Sequence, residues 1–437
     1  MLKRPIACFF LCLLLISCGQ QPNHLSEVNG RSISVDEFRF AYETTPRKEL
    51  SREHELARRQ VLDAITDRIL LAQEAVEREL DREPGIAREL DYLMEAAVCR
   101  ELYRQKVGEA TIISDEQCLE AYLRDQTDLW VQHTAFDMNK PMDAPFTDMK
   151  WEHVPIHPGL KQIRENGVVV ADVVSWNQVD RELEDLLYSL PLNKVSTPVQ
   201  MGDKRHCFRV INRETTQMES EAAYNLEMDR YLAATRKRME HERAFALVRE
   251  TMQPQELTFK GPVVEELVNI LWEVRQEGLP ENQEGEGAGL PRLEALGDEV
   301  LAVFGGREYT VADFRFHYKM NPLELDDESR PALQKSLFNA VGIYVRDRVF
   351  AELGRAAGYD ELDRVRDDFQ YWRERLLAQR LTARIQEPDD STESIAELLQ
   401  DLRKQARIRV DEKRLLAVET SDVGLTRPID FFAKTLN

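Results

Sequence analysis

Few side chains in this 437-residue chain sit at spacings that could do chemistry, and the histidines come first. His133 lies inside one strand-like stretch, Trp130 to Phe136, and His206 stands at the edge of another, Cys207 to Ile211. His153 and His157 flank Pro155, so they do not share one regular helix face and offer no metal-ligand pair. Cys99, Cys118 and Cys207 are scattered, without metal-ligand spacing or a disulfide framework, and read as buried small hydrophobes. No phosphate-cradling G-x-x-x-x-G-K-[ST] run occurs, and neither a cofactor nor a metal is expected.

The N-terminus carries chemistry of another kind. Lys3 and Arg4 precede an apolar run from Ile6 to Ile16. A run of about eleven residues is too short to span a bilayer and suits the core of a signal peptide. It ends in Leu15-Ile16-Ser17-Cys18, which resembles the lipobox of bacterial lipoproteins. The resemblance implies that Cys18 is lipidated and that residues 1–17 leave with Cys8 and Cys12. Gly19 follows, not Asp, which by resemblance to enterobacterial sorting implies the outer membrane and a periplasm-facing body. Later apolar runs fall short of the roughly eighteen residues a span needs, so the lipid is the expected attachment. Removing residues 1–17, with two basic and no acidic residues, takes the formal charge from -21 to -23. A body this acidic is not expected to bind nucleic acid or anionic headgroups.

The elements that must position these groups include a repeat. Val28-Asn29-Gly30-Arg31-Ser32-Ile33-Ser34-Val35-Asp36-Glu37-Phe38-Arg39-Phe40-Ala41-Tyr42 returns as Phe304-Gly305-Gly306-Arg307-Glu308-Tyr309-Thr310-Val311-Ala312-Asp313-Phe314-Arg315-Phe316-His317-Tyr318, with seven identities in fifteen places. Asn29-Gly30 and Gly305-Gly306 tolerate the positive φ of a tight type I′ hairpin. Ser34-x-x-Glu37 and Thr310-x-x-Asp313 sit where a capping box opens a helix. Phe38 with Tyr42, and Phe314 with Tyr318, then fall four apart on a face expected to be core. Asp67-Arg68-Ile69-Leu70 and Asp347-Arg348-Val349-Phe350 correspond in a longer second helix. Leu90, Tyr92 and Leu93 correspond to Phe369, Tyr371 and Trp372 in a third. Each copy reads as a hairpin with three helices, about 80 to 90 residues long.

Between and around the copies the expected order is a signal at 1–17, a tether at 18–26 and a first helical module at 27–128. A mixed domain follows at 129–213, then a helical segment at 214–277, a flexible linker at 278–297 and a second module at 298–386. A helix and strand segment at 387–437 closes the chain. Ser114-x-x-Gln117 opens a helix from Asp115 to about Arg124, and Val168 to Val174 is a further strand candidate. The Gly278–Pro291 stretch has no apolar periodicity and reads as a loose tether that lets the second copy move.

A lipoprotein signal, an Asn-Gly-Arg-x-Ile-Ser-x-x-Glu-Phe opening, three helices and a mixed segment together resemble the SurA/PrsA class of extracytoplasmic parvulin-type peptidyl-prolyl isomerase chaperones. Glu184 to Leu190 followed by Val195-Ser196-Thr197-Pro198-Val199 looks like that family's helix and "VSxPV" passage. His206-Cys207-Phe208-Arg209-Val210 looks like its closing strand, and Val131 to Phe136 like its first. Ala396 to Arg403 with Ala406-Arg407-Ile408 resembles a C-terminal segment of the family. The resemblance implies a mostly helical α+β fold, in which two repeated hairpin-plus-helices modules flank a small degenerate parvulin-like α/β domain.

The same resemblance places His133 and His206 on the two histidines of the isomerase site, and Val179, Leu183 and Tyr188 on its proline pocket. Val179 stands where the family has Met and Leu183 where it has Phe, both smaller. The acidic or thiol passage before a Gly-Gly-Asp-Leu-Gly turn has no counterpart, and Val168 to Val174 stands there instead. Rotation about X-Pro faces a barrier near ~20 kcal/mol, which a shallow pocket lowers little. The pair of histidines therefore reads as structural, with catalysis as the alternative. The function implied is a lipid-anchored chaperone for unfolded or extended polypeptides, outer-membrane or secreted clients among them. An active prolyl isomerase is the enzymatic alternative, and a lipoprotein scaffold for one folded partner is the third. Clients and oligomeric state are not legible in the sequence.

Overall fold

The computed structural model describes residues 24–137, 153–215, 221–253, 255–276, 289–386 and 394–420. Cys18 with its lipobox, and most of the Gly278–Pro291 stretch, lie outside the described residues. The fold is α+β and mostly helical.

Strands β1 (His24–Val28) and β2 (Arg31–Ser34) lead into helices α1 (Val35–Thr44), α2 (His54–Glu77) and α3 (Pro84–Tyr103). Next come α4 (Asp115–Asp125), β3 (Thr127–Asp137), β4 (Lys161–Glu165) and β5 (Val168–Val174). Helix α5 (Arg181–Ser189), strands β6 (Val199–Met201) and β7 (Lys204–Thr215), and α6 (Glu221–Met252) follow. The chain continues through β8 (Thr258–Phe259), α7 (Gly261–Gln276), α8 (Gly289–Ala295), β9 (Val300–Phe304) and β10 (Arg307–Thr310). It ends with α9 (Val311–Met320), α10 (Arg330–Ala356), α11 (Asp363–Gln386), α12 (Ile395–Gln405), β11 (Ile408–Val410) and α13 (Glu412–Ala417). No helix of the described residues is long and apolar enough to cross a membrane.

The chain divides into two compact units, one formed by residues 1–102 with 251–437 and the other by 103–250. In the first, the turn chemistry read from sequence is realised twice. Asn29 and Gly30 take φ of 50° and 88°, and Gly305 and Gly306 take 61° and 77°. Ser34 and Thr310 cap α1 and α9 by accepting from the backbone N–H of Glu37 and Asp313. Phe38, Tyr42 and Phe314 are buried beneath them.

Each hairpin is completed by a strand from elsewhere in the sequence. β11, near the C-terminus, pairs antiparallel with β1, and β8 pairs antiparallel with β9. The third helices also cross over. Helix α11, in the second copy, packs Leu377, Ala378 and Leu381 against Leu71, Ala72 and Ala75 of α2 in the first. Helix α3, in the first copy, reaches α10 in the second, where the Cys99 thiol meets the Asp347 carbonyl at 3.3 Å. A Cβ on Gly354 would stand 2.3 Å from the buried Val98 side chain, so that contact requires glycine.

The exchange also carries charge. Arg31 donates to Glu374 at 2.7 Å and pairs with Glu37 at 3.0 Å, while Arg68 holds the other Glu37 oxygen at 2.8 Å. Glu374, almost fully buried, is thus the acid that α11 brings to the first hairpin. Burial pushes the Glu37 carboxyl up, against the pull of Arg31 and Arg68. Phe40 meets Tyr371 edge-on at 5.6 Å, and Phe316 meets Tyr92 edge-on at 6.1 Å. The two copies are therefore interlocked through buried contacts, which corrects the expectation of a second copy free to move on a loose tether.

The second unit holds a five-stranded antiparallel sheet in the order β4-β5-β3-β7-β6. Helix α5 packs Leu183 and Leu187 into a core with Leu129, Val131, Phe208 and Val210. Ser114 and Gln117 form the full capping box of α4. Beside it, Tyr122 and Tyr231 meet edge-on.

Candidate functional site

The long β3–β7 pairing sets the two histidines side by side. His133 lies opposite Phe208, and Ala135 lies opposite His206, so both rings point to the same sheet face two residues apart. His133 Nε2 stands 2.8 Å from His206 Nδ1, and His133 Nδ1 stands 2.6 Å from the Val154 carbonyl. A carbonyl accepts only, so the His133 proton sits on Nδ1 and its Nε2 accepts from His206. His206 Nε2 lies 3.2 Å from the Met201 carbonyl. The His133 and His206 rings lie nearly parallel with centroids 5.0 Å apart, joined edge to edge by the Nε2–Nδ1 contact, and the His133 ring stacks on Phe208 at 4.9 Å. Burial holds the His133 imidazole below its ordinary value, with Val154 pulling the other way.

Behind this pair lies a carboxylate that the sequence reasoning missed. Asp172, fully buried in β5, accepts from the Ile156 backbone N–H at 2.7 Å. Its other oxygen lies 3.4 Å from His153 Nε2, misaligned for a hydrogen bond, and both atoms are otherwise unpartnered. His153 Nδ1 accepts from the His133 backbone N–H at 3.4 Å. The sequence signal was present: Asp is the one charged residue in the run Val168 to Val174, and a lone charge in a buried strand demands a partner.

Val179 and Leu183 lie in the apolar cluster under α5, with Leu183 buried and Val179 at its margin. The Tyr188 hydroxyl donates to the carbonyls of Arg124 and Thr127, at 2.9 and 2.7 Å, and the Arg124 guanidinium lies over its ring. Tyr188 thus ties α4 to α5 and β3. The structure brings His133 and His206 together and places Val179, Leu183 and Tyr188 in the packing of the same domain. Among the described residues, no group of three or more His, Cys, Asp or Glu could hold a metal ion.

In the other unit, a cavity of about 440 Å³ opens beside α9. Its wall is apolar: Leu267, Leu271, Leu293, Phe316 and Leu325, with Arg315 and Lys319 at the margin. A second cavity, of about 500 Å³, lies between the second hairpin and α3 and is lined by charged and aromatic groups.

No protein-family model matches this chain, and no curated protein matches it. Among solved structures it is similar to a SurA-like chaperone of Campylobacter jejuni at 17% identity, covering 52% of this chain and 94% of that one with a TM-score of 0.21. It is also similar to the peptidylprolyl isomerase PrsA of Bacillus cereus, at 11% identity, 59% and 92% coverage and a TM-score of 0.20. The foldase protein PrsA of Streptococcus pneumoniae is a third, at 14% identity, 51% and 93% coverage and a TM-score of 0.20.

Proposed function

We propose that this protein is a lipid-anchored, periplasm-facing chaperone that holds unfolded or extended polypeptides. In this reading two hairpin-plus-helices modules form one interlocked frame, and a degenerate parvulin-like domain is inserted after α3. The observation that carries it is the apolar cavity beside α9. A wall of Leu267, Leu271, Phe316 and Leu325 on a rigid frame suits the side chains of an extended chain, and basic residues at the rim suit its backbone carbonyls. Anchoring rests on the lipobox ending in Cys18, and the mass of the mature N-terminus tests it. An unmodified N-terminus away from Cys18 would exclude the anchor. The acidic body supports solubility while apolar surface is exposed.

The cavity is testable directly. Leu271 is half-buried on its wall, at the edge of the core, so Leu271→Glu places a charge there. The variant should keep its helical circular dichroism and lose most of its capacity to suppress aggregation of an unfolded outer-membrane protein. Full capacity in a folded Leu271→Glu variant would move client binding elsewhere. Prolyl isomerisation is the second reading, favoured by the 2.8 Å contact of His133 with His206. We assign that pair a structural role, because His133 is buried and stacked with Phe208.

A further inference from the structure

The repeat reaches further than its hairpins, and where its two copies diverge a donor is left without an acceptor. Phe259 of β8 stands opposite Ala302, and Val410 of β11 stands opposite Ser26, the residue that corresponds to Ala302 in the first copy. The Lys260 N–H donates to the Leu301 carbonyl and the Asp411 N–H to the Leu25 carbonyl, each at 3.0 Å. The helices that follow bury Val264 and Leu415 at the same step, and Leu267 and Val418 one turn on. β8 with α7, and β11 with α13, are thus one closing unit used twice.

The two closing units differ in how far the helix runs. α13 ends at Ala417, and Val418 is already extended. The chain so released meets α1, where Arg39 Nε donates to the Glu419 carbonyl at 2.9 Å and Nη1 holds Asp36 at 2.9 Å. α7 instead continues to Gln276. Val268, which corresponds to Glu419, therefore has its carbonyl bonded inside the helix. Asp36 is replaced by Ala312. Arg315, the counterpart of Arg39, has lost both acceptors and makes no hydrogen bond or ion pair among the described residues. It is half-buried at the margin of the apolar cavity of about 440 Å³. That cavity has Arg315 and Lys319 in its lining and no Asp or Glu, in a chain with 79 acidic and 58 basic residues. The acceptor for Arg315 must then arrive from outside, with apolar groups attached to it. An extended polypeptide has both, since its carbonyls and its side chains recur at every residue along one strand.

We propose that an extended polypeptide segment lies across this cavity with one main-chain carbonyl accepting from Arg315, as Glu419 accepts from Arg39, and a neighbouring apolar side chain inside. The proposal rests on the client-holding reading and adds to it a main-chain contact that does not depend on the client's sequence.

The probe is a fluorescent, end-blocked peptide without charged residues and apolar at alternate positions, together with twins that each carry one backbone ester. An ester carbonyl is the weaker acceptor, while the side chains stay the same. In anisotropy titrations Arg315→Met, which keeps the apolar stem, should weaken binding of the parent peptide about ten-fold. One ester twin should bind the wild type several-fold more weakly than the parent does. In Arg315→Met that twin and the parent should bind alike, because the interaction the ester weakens is already gone. Arg39→Met should bind the parent as the wild type does. Equal binding of the parent by the wild type and by Arg315→Met of unchanged helical circular dichroism would overturn the proposal. An equal loss in Arg39→Met would overturn it too. So would an Arg315→Met effect confined to a peptide with an internal Glu, which would make Arg315 a partner for acidic side chains. Leu271→Glu separates this contact from the broader reading. Binding lost there and kept in Arg315→Met leaves the cavity as the client site without the main-chain contact. Binding kept in both variants removes the cavity itself from the account.

Discussion

At the residue scale the molecule contains two imidazoles that burial shifts toward the neutral form, His133 in the sheet domain and His317 in the frame. Burial lowers both, against Val154 for the first and against Asp347 for the second, while Arg346 and Arg348 add to the lowering at His317. In an unfolded chain both would take a proton near pH ~6.5. Their contribution to stability is therefore complete above that value and is lost as pH falls toward the lower folded values. The raised carboxyl of Glu37 acts in the opposite sense, since protonation favours the folded state there. A urea midpoint measured at pH 7.5 and 5.5 should fall with pH, and the fall should shrink in His317→Ala. An unchanged slope would mean that His317 is solvated. The same scale decides the enzyme question. His206 is half-exposed and reaches His133, whose ring is covered by stacking with Phe208. Acceleration of X-Pro isomerisation in a short peptide should be close to the uncatalysed rate. Strong acceleration that His206→Gln removes would make the pair catalytic.

At the scale of elements, what was legible follows from how local each signal is. The positive-φ pairs Asn29-Gly30 and Gly305-Gly306 and the caps Ser34 and Thr310 lie within a few residues of what they control, and they are found as read. The strand expected within the 387–437 segment forms at Ile408–Val410, but its pairing with β1 joins residues nearly four hundred apart and leaves no local mark. β8 is two residues long, too short for any periodicity. The crossing of α11 onto α2 was equally hidden, because one apolar stripe fits either copy's second helix. The surroundings of Asp172 are not legible, since its partner, the Ile156 amide, and the neighbouring His153 come from a loop with no regular pattern. The exchange depends on Glu374, which meets Arg31 and approaches Arg68 from the other copy. Glu374→Gln keeps the shape and removes the charge, leaving Arg31 and Arg68 to share Glu37. Loss of one partner in a group this buried should cost about 3 kcal/mol, read as a lower denaturant midpoint with unchanged slope. A loss under about 0.5 kcal/mol would place this group among solvent-screened pairs.

At the scale of the whole molecule, the repeat gains its meaning from the exchange. Each three-stranded sheet borrows its last strand from a distant segment, and α11 of one copy closes the core of the other. A cut after residue 274 would remove α11 from α2 and β9 from β8, so truncation tests folding before it tests client binding. The intact mature chain is the proper subject. An outer-membrane protein diluted from urea, followed by light scattering, should aggregate far less in the presence of residues 18–437 at near-equimolar ratio. Suppression should extend to several unrelated unfolded chains, as weak apolar binding without a nucleotide requires. If a well-folded sample of residues 18–437 leaves the scattering of every such chain unchanged, the chaperone account is contradicted.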